Sequence, residues 1–229
     1  MKTIGLLGGM SWESTAYYYR IINETVKEKL GGLSSAKCIL FSVNFAEIEK
    51  CQAGGNWEAA GEILTQAAQS LERAGADFIG ICTNTMHKVA PQIQQGINIP
   101  VVHLASETAK VLQAEGVTKV GLLGTKFTME QDFYKQVIND HGIDVIIPSE
   151  QDRQVVHDVI YGELCLGNVR EESRNHYLRI IDDLANNGAQ GLILGCTEIC
   201  MLVEHKHTSV PLLNTTEIHA KRLAEMSMS

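Results

Sequence analysis

The chain has 229 residues, 45% hydrophobic, 20% charged and 6% aromatic, with a formal net charge of −8. That length suits one large domain or two of roughly 110 residues. The acidic balance, with no long run of Lys or Arg, excludes the clustered positive charge of a nucleic-acid partner. No stretch reaches the ~20 apolar residues of a bilayer span, so no membrane partner is expected. The short apolar run after Met1-Lys2 lacks a leader's cleavage site, and a cytoplasmic protein is expected. Cys38, Cys51, Cys82, Cys165, Cys196 and Cys200 are widely spaced in a chain long enough to build a core without staples. They imply a reducing compartment, with most thiols used for packing.

In chain order, the first strand is expected at about 3–8. Gly5-x-x-Gly8-Gly9 lacks the dinucleotide spacing Gly-x-Gly-x-x-Gly. It reads as a tight turn that lets Met10 and Ser11 reach a ligand. Further strands are expected at about 36–43, 77–82 and 100–103. Between them, Glu58 to Glu72 places Ala59, Ala60, Ile63, Leu64, Ala67, Ala68 and Leu71 on one helical stripe. The second half repeats the scheme, with strands at about 118–123, 143–147, 190–195 and 210–213.

The repetition extends to residues. Ile4-Gly5-Leu6-Leu7-Gly8-Gly9 resembles Val120-Gly121-Leu122-Leu123-Gly124-Thr125 at an offset of 116, which also pairs Tyr18 with Tyr134, Ile22 with Ile138 and Asn23 with Asn139. The run from Gly75-Ala76 to Thr83 resembles that from Gly188-Ala189 to Cys196 at an offset of 113. Ile99-Pro100-Val101-Val102 resembles Val210-Pro211-Leu212-Leu213 at an offset of 111. The fold class is therefore α/β: two pseudosymmetric domains, each a parallel sheet flanked by helices, related by internal duplication. Ligands bind such sheets beyond the C-terminal strand ends. The equivalent ends are Gly8-Gly9-Met10-Ser11 with Gly124-Thr125, and Thr83-Asn84-Thr85 with Cys196-Thr197-Glu198. Halves facing each other about a pseudo-twofold axis would line one cleft with these four loops. Two equivalent side chains on opposite sides of one carbon is the geometry of a two-base proton transfer.

Cys196 follows a buried strand and is expected to open a helix, whose N-terminus would lower the thiol pKa and give thiolate near neutrality. Thr197 and Glu198 can hold a substrate carboxylate or amine. In the first half, Asn84, Thr85 and the amides after them can bind a carboxylate. Thr83 is a poor base alone, and His87, one turn on, is positioned to assist it. Cys82 should point to the opposite face, into the core. His205 and His207 lack the partners of a metal site, and Cys196 and Cys200 lack further ligands. No phosphate-binding Gly-x-x-x-x-Gly-Lys loop is present.

Gly5-Leu6-Leu7-Gly8-Gly9-Met10-Ser11, Asn84-Thr85-Met86-His87 and Gly195-Cys196-Thr197-Glu198 resemble, in order, the three signatures of the aspartate/glutamate racemase family. The resemblance runs from residue 3 to about residue 220. It implies an amino-acid racemase that needs no pyridoxal phosphate or other cofactor, often a homodimer, acting on a small-molecule amino acid. It also implies a first domain of 1–102 plus 215–229, a second of 103–214, and an active site in the cleft between them. One cysteine from each half would take or give the α-proton on its own face. Cys196 matches the second of these cysteines, whereas Thr83 stands where the first would be. Met10, Gln52, Asn84, Thr85, Thr125, Thr197 and Glu198 match places that line the family's substrate pocket. Aspartate-specific members carry an Arg in the loop after the second strand and a Lys on a helix of the second domain. Here Lys50 is the only cation from Glu47 to Gln52, and Cys165 falls where the Lys would be, so a broader substrate range is expected. Two alternatives remain: a decarboxylase-like member using Cys196 alone as proton donor, and a binding protein with a degenerate site.

Overall fold

Apolar runs bounded by Gly form buried parallel strands because each can bury side chains on both of its faces. In the computed structural model, which describes residues 1–229, they build two four-stranded parallel sheets. The chain divides into two units: Met1–Leu104 with His219–Ser229, and Ala105–Ile218.

The first unit runs β1 (Ile4–Gly8), α1 (Trp12–Leu30), β2 (Cys38–Ser42), α2 (Phe45–Ala53), α3 (Trp57–Arg73), β3 (Phe78–Ile81), a 3-10 turn (Thr85–Val89), α4 (Ala90–Gln95) and β4 (Val101–Val102). Then follow α5 (Leu104–Ala114), β5 (Lys119–Gly124), α6 (Lys126–Glu130), α7 (Asp132–Asn139), β6 (Asp144–Ile146), α8 (Glu150–Gly162), a 3-10 turn (Leu164–Leu166), α9 (Glu171–Asn186), β7 (Leu192–Gly195), α10 (Ile199–Leu202), a 3-10 turn (His205–His207), β8 (Leu212–Asn214) and α11 (Thr215–Met228). The strand orders are β2-β1-β3-β4 and β6-β5-β7-β8. The same topology twice is what the sequence repeat predicts.

Alternation along the inner strands of the first unit sorts side chains onto two faces. Leu7, Ile79 and Ile81 join Ile48 of α2 and Leu64, Ala67, Ala68 and Leu71 of α3 in one core. Ile4, Leu6, Phe78 and Cys82 join Tyr18, Ile22 and Val26 of α1 with Ala220, Leu223 and Ala224 of α11 in the other. Gly80 makes room for that last helix, since a Cβ there would lie 2.4 Å from Leu223 Cδ1. The amide of Lys2 bonds Ser227 O at 2.8 Å and ties the N-terminus to the end of α11.

Side-chain caps set the helix starts. Ser11 accepts from Ser14 N, Asn56 from Ala59 N, Thr125 from Thr128 N and Ser149 from Asp152 N. Gly9 has φ +92°, and a Cβ there would meet Val43 O at 2.3 Å, so the turn after β1 requires glycine. β2 departs from the expectation that helices cover both faces of a parallel sheet. It is an edge strand paired only with β1, and its last three residues, Leu40, Phe41 and Ser42, are exposed.

Candidate active site

The parallel pairing of β1 with β3 sets the ends of these strands side by side, through Leu7 opposite Ile81. Met10 and Thr83 therefore emerge from neighbouring strand ends. Met10 is buried with Ile48 and Met86, and the buried Gln52 amide donates to Met86 Sδ at 2.9 Å. Asn84 and Thr85 are buried, whereas Thr83 is partly exposed. The structure thus gathers Met10, Gln52, Thr83, Asn84 and Thr85 at one end of the first sheet.

Side chains bind successive carbonyls where β3 ends. Ser14 Oγ donates to Cys82 O at 3.1 Å, and His87 Nδ1 lies 2.8 Å from Thr83 O. The amide of His87 donates to Asn84 O at 3.0 Å, and Leu104 N donates to His87 Nε2 at 3.1 Å. Both ring nitrogens of His87 therefore serve backbone groups. This corrects the expectation that His87 assists the Thr83 hydroxyl: the ring turns toward the carbonyl and leaves no nitrogen for it. Cys82 is fully buried in the α1 and α11 core.

His103 and His219 stack edge-on against His87, with ring centroids 4.7 and 5.8 Å away. Tyr18 OH lies 2.9 Å from His219 Nδ1, while His219 Nε2 lies 2.9 Å from Val102 O. A carbonyl only accepts, so Nε2 carries the proton and Nδ1 accepts from Tyr18. Burial brings His103 down to about 4, and its Nδ1 has no partner. Burial also brings His219 down to about 3. His87 is held well below the usual histidine range, by burial first and by His103 and His219 after it.

In the second unit, β5 pairs with β7 through Gly124 opposite Gly195, so Thr125 and Cys196 emerge side by side. Thr125 caps α6 and shares a 3.2 Å hydrogen bond with the Thr128 hydroxyl. Cys196 Sγ donates to Glu198 Oε2 at 2.9 Å, and Thr197 Oγ1 lies 2.9 Å from Thr216 Oγ1. Thr215 Oγ1 donates to Leu194 O at 2.9 Å and fixes the strand just before the cysteine. The structure thus gathers Thr125, Cys196, Thr197 and Glu198 at the end of the second sheet.

The thiol is the main correction. Its pKa lies well above the usual thiol range, raised by burial and then by the Glu198 carboxylate. No long helix starts at Cys196. α10 begins three residues later and has four residues, too short to supply a strong dipole. Cys165 lies in the 3-10 turn beyond α8, not on a helix. Sequence reasoning missed Ser14, Thr215 and Thr216. The hydroxyl pair after β8 carried a signal, since Thr215-Thr216 follows a strand end as Cys196-Thr197 does.

A family model described as Asp/Glu/Hydantoin racemase matches residues 7–223. A Yersinia pestis structure, solved as a candidate Asp/Glu racemase, is 52% identical, with TM-score 0.94 and the whole of both chains covered. An aspartate racemase homologue from Pyrococcus horikoshii is 36% identical, with TM-score 0.87 and again full coverage of both. The broad specificity amino-acid racemase RacX of Bacillus subtilis is 25% identical over 158 residues, 69% of this chain and 68% of that protein.

The histidine cluster predicts acid sensitivity. Unfolded histidines, with pKa near 6.5, take up protons that the folded cluster refuses. Stability is therefore full above pH 6.5 and is lost as pH falls toward the depressed folded values. His219 alone should cost about 2 kcal/mol by pH 5, before most carboxylates titrate. Urea unfolding between pH 7 and 5 should show this loss, and a flat profile would contradict it.

Proposed function

Because the chain belongs to the Asp/Glu/Hydantoin racemase family and is an amino-acid racemase, an isomerase, we propose that it interconverts L- and D-amino acids with Cys196 on one face of the α-carbon and Thr83 on the other. The observation that carries this reading is the Cys196–Glu198 contact at the end of β7, matched by Thr83 at the end of the topologically equivalent β3. Glu198 accepts the thiol proton, and the thiolate then removes the α-proton. The Thr83 hydroxyl returns a proton to the opposite face, the alkoxide left behind is reprotonated from solvent, and Glu198 releases the proton it accepted to solvent, which restores thiol, carboxylate and hydroxyl. A thiol with a raised pKa is a poor resting thiolate but a stronger base once ionised, which suits a weakly acidic Cα–H. Starting instead from Thr83, a hydroxyl must act as base. The two directions should therefore differ in rate.

Asn84, Thr85 and Thr197 are the proposed partners of the substrate's carboxylate and amine, with Met10, Gln52 and Thr125 shaping the site. Lys50 is exposed on α2, and the place of the second-unit lysine holds Cys165, which favours a range wider than aspartate and glutamate.

The reading includes a homodimer. Exposed Trp12 (68%) and Tyr19 (54%) of α1 lie on the side of the unit where β2 exposes Leu40 (50%), whose Cδ1 reaches toward Gly8 beside Thr15. Residues 1–43 hold five Lys or Arg against three Glu in a chain of net charge −8, so two such faces meet without acidic repulsion. Glu13 and Arg20, both exposed, flank Ala16 on α1, and an antiparallel second copy would set each Glu13 near the other's Arg20.

In D2O, the native protein should exchange and invert the α-proton of at least one amino acid. Cys196→Ala should abolish both, and Thr83→Cys should raise inversion about tenfold or more. Absence of exchange across a panel of L- and D-amino acids would contradict the racemase mechanism. Sedimentation equilibrium should give a dimer that Tyr19→Lys with Leu40→Lys converts to monomer, whereas a native monomer at micromolar concentration would refute the dimer.

A further inference from the structure

We propose that His87 is the positioning residue of the threonine half-site, a neutral strut that aims the Thr83 hydroxyl. The inference rests on the racemase reading above and extends it to a residue that touches no substrate. A threonine has few side-chain rotamers, so the backbone of Thr83 decides where its hydroxyl points. That backbone is held through its carbonyl. Thr83 O can only accept, so His87 Nδ1 carries the ring proton and donates to it at 2.8 Å. Leu104 N–H can only donate, so His87 Nε2 is bare and accepts from it at 3.1 Å. The two bonds together select one neutral tautomer and tie the end of β3 to the first residue of α5.

The strut is braced. His87 is 1% exposed, His103 packs edge-on to it, and His219 behind is pinned by Tyr18 and Val102 O. The adjoining carbonyls of Cys82 and Asn84 have their own donors, so the strand end has little freedom left. In the second unit the repeat puts Cys200 at the position equivalent to His87, and a thiol cannot bridge two backbone groups in this way. That half-site has a different device, the Glu198 carboxylate against Cys196. The two halves differ as their acids differ. A thiol with a carboxylate beside it tolerates slack, whereas a hydroxyl with no adjacent base depends on aim.

Two substitutions separate the two bonds. An Asn amide overlays Nδ1 and keeps a donor toward Thr83 O, while a Gln amide overlays Nε2 and keeps an acceptor toward Leu104 N. The readout is the ratio of inversion to α-proton exchange in D2O, since exchange without inversion needs only the Cys196 face. His87→Gln should lower this ratio about tenfold with exchange little changed, and His87→Asn should recover it. Equal ratios in the two variants, or a native ratio in His87→Gln, would overturn the proposal. Where a variant fails to fold, the imidazole 15N spectrum of the native protein decides. Nδ1-protonated neutral His87 at neutral pH supports the strut, and the Nε2-protonated tautomer overturns it. Native protein that exchanges no amino acid would refute the racemase reading and this proposal with it. Native exchange with equal variant ratios would refute the strut alone.

Discussion

Cys196 donates its S–H to the Glu198 carboxylate at 2.9 Å, and much of the second unit serves to keep that pair in place. β7 delivers the cysteine at the end of a buried strand, paired with β5 on one side and β8 on the other. Thr215 fixes the carbonyl of Leu194, and the Thr197–Thr216 hydroxyl pair holds the residue between thiol and carboxylate. Burial disfavours the thiolate, and a neighbouring carboxylate disfavours it further. The same carboxylate is the nearest acceptor for the proton. The sulfur therefore rests as the protonated thiol, with its S–H held on Glu198. A site organised this way spends little time as a reactive thiolate.

The first unit solves the matching problem with different chemistry on the same topology. Its strand ends are fixed by Ser14 and by His87, and the histidines behind are kept neutral by burial. His87 is held neutral as well, and its neutrality matters because an imidazolium has no lone pair for Leu104 N–H. Duplication supplied two equivalent loops, and the groups around them have since diverged. One loop carries a carboxylate for its thiol, the other an imidazole for its backbone. A racemase needs groups on both faces of the α-carbon, but nothing in the proton transfer requires them to be the same.

Much of this was legible in the sequence because parallel strands and their ends follow local pattern. The runs around Leu6, Ile79, Leu122 and Ile193 became inner strands, and the stripe from Ala59 to Leu71 became α3 with shifts of about a residue at its ends. The repeat offsets anticipated the shared strand order. What the sequence did not give was direction of side chains and sign of environment. Helix N-terminal logic suggested a thiolate at Cys196, yet α10 is a single turn and Glu198 folds back onto the sulfur, a contact of two residues that no periodicity encodes. His87 stood at helical spacing from Thr83, but its ring reaches the carbonyl and not the hydroxyl. Leu104, which fixes the other ring nitrogen, is 17 residues away and opens α5, after the next strand.

The central claim is that Cys196 rests as a thiol because it sits, half-buried, against the Glu198 carboxylate. It is tested most directly by the pH dependence of Cys196 alkylation, resolved by peptide mass spectrometry in native protein and in Glu198→Gln. The account predicts that native Cys196 reacts little at neutral pH and titrates above the ordinary thiol value of 9.0, and that Glu198→Gln moves the transition to lower pH. A native Cys196 already reacting as thiolate at pH 7, unmoved by Glu198→Gln, would contradict it.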